Sequence, residues 1–250
     1  MHRRSFLATS SLAVGSLVLP SLRIPAAAGI RAVLFDAFPI FDPRPVARLA
    51  SSLFPQEGPA LVAAWRTRQF EYTWLRTAGH RYRDFWSTTA DALKAAARSL
   101  NVDMSQAQFD QLLNTYLHLP LWPDVAPTLA ALKGAGIRTG FLTNFTPTML
   151  SSNIATNGLG GSFDYLLSTD PVRAFKPAPA AYQLGLEATG LRAAEVAFVA
   201  FAGWDAVGAK WFGYPTVWLN RLDSPSEELE ATPDAVGTDL ATLRTFLGLP

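Results

Sequence analysis

Two carboxylates, a lysine and an arginine stand in this chain at places from which a nucleophilic displacement could be assembled. Asp36 ends the run Ile30-Arg31-Ala32-Val33-Leu34-Phe35, Lys176 precedes Pro177 in a loop, and Asp205 follows Gly203-Trp204. An ammonium beside a carboxylate keeps it ionised by Coulomb attraction and so able to attack near neutral pH, while a second carboxylate can orient or deprotonate water. Thr143-Asn144 adds a hydroxyl and an amide that can donate hydrogen bonds. Arg66, Phe70 and Trp74 repeat at four-residue spacing, which on a helix sets a guanidinium among aromatic rings on one face. Each residue alone has a plainer reading: a turn Asp, a helix N-cap pair ahead of Pro147, a solvated lysine, a surface arginine. Their weight depends on whether the fold brings them together.

The run from Ile30 to Asp36 reads as a buried parallel strand that delivers Asp36 to its carboxyl end, where open α/β sheets place their ligands. The pattern then stays helical for roughly eighty residues, far beyond an ordinary βα connection. Helical spacing covers 45–54, 59–78, 84–100 and 105–119, with Gly79, Asn101 and Pro120 as stops and Ser105 as an N-cap. A helical cap domain is therefore expected over 43–122, inserted into a core formed by 29–42 and 123–250.

From Pro123 on, helices at 126–133, 147–157, 179–189 and 205–212 alternate with strands at 137–142, 163–168, 196–201 and 216–219. A loop rich in Pro, Ser and Glu, 222–233, leads to a closing helix at 238–247. This alternation predicts an α/β fold, a doubly wound parallel sheet ordered 3-2-1-4-5 with crossover helices on both faces. In such a sheet Asp36, Thr143-Asn144, Lys176 and Asp205 all fall at one edge.

Composition excludes several classes. A net charge of +1 with 16% charged residues gives no basic field of the kind nucleic acid requires, so a nucleic-acid partner is not expected. The chain has no cysteine, hence no thiolate nucleophile, thiolate metal site or disulfide. His2, His80 and His118 are its histidines, and no Gly-x-Ser-x-Gly elbow accompanies them. Gly134-Ala135-Gly136 follows a helix and precedes a strand, the reverse of a dinucleotide fingerprint. Residues 1–28 have the form of a twin-arginine export signal, with Arg3-Arg4, a weakly apolar stretch from Phe6 to Leu22 and Ala26-Ala27-Ala28 as a cleavage site. The stretch is too short and polar for a stable membrane anchor, so a periplasmic address is expected.

Taken in order, Asp36, Thr143-Asn144, Lys176-Pro177 and Gly203-Trp204-Asp205 resemble the motifs of the haloacid dehalogenase superfamily. The segment from Ala64 to Arg76, Tyr182, Gly208-Ala209, Phe212-Gly213-Tyr214-Pro215-Thr216 and Asn220-Arg221 narrow the resemblance to its 2-haloacid dehalogenase branch. The resemblance implies that Asp36 displaces halide from C2 of a short 2-halo acid to form an ester. Lys176 would keep Asp36 charged, and Asp205 would help water attack the ester. It implies Arg66 as the receiver of the halide, Thr143 and Asn144 as ligands of the substrate carboxylate, and Tyr182, Phe38, Phe70, Trp74 and Trp204 as further substrate or halide contacts. No metal or cofactor is implied, and a homodimer is one expected assembly.

Four positions depart from the branch: Pro39-Ile40 replaces a Gly-Thr pair, and Ala200 and Ala202, flanking Phe201, replace a Ser and an Asn. These departures leave two alternatives beside dehalogenation: hydrolysis of another small electrophilic acid, or binding of a small acid without turnover. The phosphatase branch needs a second acid where Phe38 stands and acidic groups near Ala200-Phe201-Ala202, leaving too few oxygens for Mg²⁺.

Overall fold

A computed structural model describes residues 29–250. The expected export signal, 1–28, lies outside the described residues.

The first strand, β1 (Ala32–Phe35), is buried along its whole length, as an unbroken apolar run must be when both faces of a sheet are covered. Four helices follow before the chain returns to the sheet: α1 (Arg44–Leu53), α2 (Gly58–Ala78), α3 (Phe85–Ser99) and α4 (Gln106–Asn114). Then come α5 (Val125–Gly134), β2 (Arg138–Thr143), α6 (Pro147–Thr156), β3 (Tyr165–Ser168) and α7 (Pro179–Thr189). The chain closes with β4 (Val196–Ala200), α8 (Gly203–Phe212), β5 (Thr216–Leu219), β6 (Ala235–Gly237) and α9 (Ala241–Phe246).

The sheet order is β3-β2-β1-β4-β5-β6, with every pairing parallel. Its first five strands stand in the predicted order. The sixth is not foreseen, because its three residues lie in the short gap between the expected loop, 222–233, and the expected closing helix, 238–247. Pairing makes it a strand: Asn220 N–H donates to the Gly237 carbonyl at 2.7 Å, and Asp234 carboxylate accepts Thr216 N–H at 2.7 Å.

Helix α4 stops five residues short of the expected 105–119 and gives way to a 3₁₀ turn at Thr115–Leu117. The reason is Asn153 of α6, whose side chain accepts Leu119 N–H and donates to the Tyr116 carbonyl, both at 2.8 Å. These bonds serve backbone groups that a continued helix would have paired within itself.

Helix α2 decides where the arginine goes. Leu61, Trp65, Gln69 and Thr73 form its buried stripe, and two of them are pinned to α3: Trp65 Nε1 donates to the Thr89 carbonyl at 2.8 Å and Gln69 Nε2 to Thr89 Oγ1 at 2.7 Å. One residue on, about 100° around the helix, lies the second stripe of Arg66, Phe70 and Trp74. Anchoring the first stripe aims the second at the carboxyl edge of the sheet. Among the described residues, no helix is long and apolar enough to cross a membrane.

Candidate active site

Because β1 is paired with both β2 and β4, Asp36 sits between the ends of those two strands. Its own N–H is tied to the Val199 carbonyl at 3.0 Å. Asp36 Oδ1 accepts from Lys176 Nζ at 2.9 Å and from Thr143 Oγ1 at 3.3 Å, and Oδ2 accepts from Phe38 N–H at 3.3 Å. The same ammonium donates to Asp205 Oδ2 at 2.6 Å. Asp205 stands in the first turn of α8, and its other oxygen accepts from the Tyr182 hydroxyl at 2.7 Å. The helix comes this close because position 208 is glycine: a Cβ there would lie 2.6 Å from Pro177 Cβ and 2.6 Å from the Tyr182 hydroxyl. Fold thus joins Asp36, Thr143, Lys176 and Asp205 in one network, although they are scattered over 170 positions of sequence.

Burial sets the electrostatics. Lys176 side chain is 1% exposed and Asp205 side chain 2%. Burial works to lower the Lys176 pKa, but the Asp205 and Asp36 carboxylates outweigh it and the ammonium is held above its ordinary range. Asp205 is pushed up to about 6 by burial, with the Lys176 charge pulling the other way and Asp36 adding to the rise. Burial also raises the Tyr182 hydroxyl, with the Asp205 charge next in effect, so this phenol stays a donor.

Across from this network lies Arg66, its guanidinium carbon 5.8 Å from the Phe70 ring centre and 5.5 Å from that of Phe201. Burial lowers its pKa, opposed by Tyr116 and Asp36. An arginine remains charged under such a shift. Between the two sides is a nearly closed pocket of about 20 Å³, room for little more than a water. Its polar lining is Asp36, Arg66, Thr143, Asn144 and Asp205; its apolar lining is Phe38, Phe70, Phe85, Phe145, Phe201, Ala202 and Trp204. Asn144 Oδ1 accepts from Lys176 N–H at 3.1 Å and Thr169 Oγ1 at 3.3 Å, which leaves its amide hydrogens for the pocket. Arg66, Phe70, Phe201, Ala202 and Trp204 also line an outer groove of about 510 Å³, so they form the wall between pocket and surface. A further depression of about 560 Å³ near Lys133, Arg138 and Gly160-Gly161 contains none of these groups.

Two expected contacts are placed elsewhere. Tyr182 is fully buried beneath Asp205, with its hydroxyl spent on that residue, so it meets the pocket only through Asp205. Trp74 is 39% exposed and lines the outer groove, where it packs on Phe70 and Trp204. Helical spacing had put it on the right face but one turn too far from Asp36. The sequence reading also missed Phe85, Phe145, Phe201 and Ala202 as walls, and two props under the nucleophile loop. Trp122 Nε1 donates to the Phe38 carbonyl at 2.9 Å, and Arg221, held by Asp124 at 2.9 Å, donates to the Pro39 carbonyl at 3.2 Å. Asn220-Arg221 was visible as a motif, but its reach to residue 39 was not. Among the described residues, no cluster of three or more His, Cys, Asp or Glu side chains is placed to hold a metal ion.

The sequence pattern of haloacid dehalogenase-like hydrolases matches residues 18–213. This chain belongs to that family. It is 37% identical over 212 residues to the (S)-2-haloacid dehalogenase of Pseudomonas sp. (strain YL), covering 84% of this chain and 91% of that relative. Among crystal structures, the L-2-haloacid dehalogenase RSc1362 superposes with a TM-score of 0.85 at 42% identity, covering 88% of this chain and 99% of that one. The L-2-haloacid dehalogenase of Xanthobacter autotrophicus with chloropropionic acid covalently bound superposes with a TM-score of 0.80 at 33% identity, covering 88% and 98%. As a haloacid dehalogenase-like hydrolase the chain has its carboxylates and lysine on the sheet edge and its arginine on the helices between β1 and β2.

Proposed function

We propose that this hydrolase cleaves the carbon–halogen bond of a short 2-halo acid through an ester on Asp36. The observation that carries the proposal is the opposition of Asp36, bonded to Lys176 at 2.9 Å, and Arg66 across one small apolar pocket. An oxygen of Asp36 attacks C2, the C–O bond forms as the C–halogen bond breaks, and the halide departs toward Arg66. Guanidinium is weakly hydrated and permanently charged, a fit partner for a large anion in an aromatic setting. At the end of β2 the amide hydrogens of Asn144 supply donors for the substrate carboxylate, beside Thr143, whose hydroxyl donates to Asp36.

The second step needs water. Asp205 takes one proton from it, hydroxide adds to the Asp36 carboxyl carbon, and the acyl C–O bond breaks as the proton of the added hydroxyl passes to the leaving oxygen, which releases the 2-hydroxy acid. Asp36 is regenerated with one oxygen from water, and the proton leaves to solvent. Relatives named as 2-haloacid dehalogenases, and one with chloropropionic acid covalently bound, support this course.

Halide release from each enantiomer of 2-chloropropionate in excess chelator tests the reaction, run beside a generic phosphate ester with Mg²⁺. A single turnover in ¹⁸O water tests the intermediate, since the label must enter Asp36. Phosphate release without halide would remove the proposal, and turnover without label would leave Asp36 as a base for direct water attack. On the same proposal the twin-arginine leader at 1–28 delivers the enzyme to the periplasm. Fractionation of cells carrying the intact chain or an Arg3→Lys, Arg4→Lys double variant tests that address.

A further inference from the structure

The pocket is polar on one flank and apolar on the other. In the sheet β1 lies between β2 and β4, so an acid seated over Asp36 has Thr143-Asn144 on one side and Phe201-Ala202 on the other. The hydroxyl and amide of the lining, Thr143 and Asn144, stand on the β2 side, whereas Ala200, Phe201 and Ala202 at the end of β4 carry no polar side-chain atom. In-line displacement then fixes three directions at C2: attack from Asp36, departure toward Arg66, carboxylate toward Thr143-Asn144. What remains on C2 points to the β4 side. In a haloacetate that is hydrogen; in a longer acid it includes an alkyl group.

The group waiting there is the ring of Phe201. It is 5% exposed, 5.5 Å from the Arg66 guanidinium and 5.6 Å from the Phe38 ring. Its carbonyl accepts Trp218 Nε1 at 3.1 Å, which fixes the backbone that carries it. A ring flanked by Phe38 and Arg66 and held at its root gives way only by losing those contacts.

We infer that Phe201 sets substrate length, favouring two-carbon 2-halo acids over longer ones by narrowing the space that an alkyl group on C2 would need. The inference rests on the dehalogenation proposed above. A methylene in an apolar pocket is worth roughly tenfold to two-hundredfold in kcat/KM. With the wild type, kcat/KM for chloroacetate, 2-chloropropionate and 2-chlorobutanoate should therefore fall by about tenfold or more per added carbon. Phe201→Ala should narrow the ratio of first to last by about tenfold or more, with the milder Phe201→Leu in between.

Two results would overturn the inference: a wild type that takes 2-chlorobutanoate as readily as chloroacetate, or variants that lose activity on all three acids by one factor. The second would mean that Phe201 only seats Arg66. Should the wild type release no halide from any of them, the dehalogenase reading fails, and calorimetric titration with acetate, propionate and butanoate reads the size limit without turnover. Affinity that falls with length in the wild type and levels in Phe201→Ala upholds the limit; affinity independent of length in both removes it.

Discussion

At the sheet edge one cation is held between two carboxylates, Lys176 at 2.9 Å from Asp36 and 2.6 Å from Asp205, whereas on α2 Arg66 has aromatic rings at 5.5 and 5.8 Å. Among the described residues Arg66 makes no ion pair. The two sides therefore handle charge differently. The floor is internally bonded and carries a surplus negative charge on Asp36; the roof carries an unspent positive one. Esterification moves that surplus across the pocket, from Asp36 to the halide, and leaves Lys176 paired with Asp205 alone. Such a division asks for rigid hydrogen bonds where the nucleophile must be aimed and for a soft, desolvated cation where a spherical anion must be received.

Removing the surplus charge gives the largest effect. Asp36→Asn keeps the volume and loses the nucleophile, and kcat should drop by about four orders of magnitude or more, with the circular dichroism spectrum unchanged. A loss smaller than tenfold would mean that the floor is not where the bond is made.

Removing the cation of the floor comes next. Lys176→Ala leaves two carboxylates facing each other with no counter-charge, so one takes up a proton, and activity at neutral pH should fall by about a hundredfold to a thousandfold. Part of that loss should return as pH rises and the proton leaves. Breaking a buried pair should also cost about 3–5 kcal/mol, read as an earlier urea midpoint. A pH-independent loss would argue that Lys176 acts by contact rather than by charge.

On the roof, Arg66→Lys keeps the charge but concentrates it in a strongly hydrated ammonium, so kcat should fall by about tenfold to a hundredfold. Inhibition by added bromide should weaken in parallel. If bromide inhibition is unchanged, the halide is received elsewhere and the comparison of floor with roof loses its functional meaning.

The two sides also differed in how far the sequence disclosed them. The floor was legible because each group follows a strand, and strand order alone brings strand ends to one edge: Asp36, Thr143, Lys176 and Asp205 were read at that edge and are there. On the roof, four-residue spacing chose the face of α2 correctly but could not say how far along it the sheet edge falls, so Trp74 was drawn too near. Phe85 and Phe145 were invisible as walls because an aromatic residue in a helix or a loop carries no mark of whether it faces core or cavity. Strand β6 escaped for a different reason: three residues offer no periodicity, and their pairing partner, β5, supplies the geometry. Tyr182 is visible as a motif residue, yet only the folded chain shows that its hydroxyl is spent on Asp205.

That last contact supports the smallest and most specific prediction. Asp205 must be ionised to take a proton from water, and burial has pushed its pKa up to about 6. Turnover limited by ester hydrolysis should therefore rise with pH along an acidic limb and then level, with the midpoint below about 6, because the ester has removed the Asp36 charge that helps to raise Asp205 in the free enzyme. The Tyr182 hydroxyl, 2.7 Å from Asp205 Oδ1, stabilises the ionised carboxylate. Tyr182→Phe removes that donor and keeps the ring, so the acidic limb should move to higher pH. The sign follows from the group: losing a bond to the charged form makes the proton harder to remove. On that limb kcat should fall by about tenfold, the worth of one hydrogen bond to a charged group, and at pH 8 the wild type and variant should nearly coincide. A limb that moves to lower pH, or a uniform loss at every pH, would show that Tyr182 acts on the substrate itself and not through the carboxylate above it.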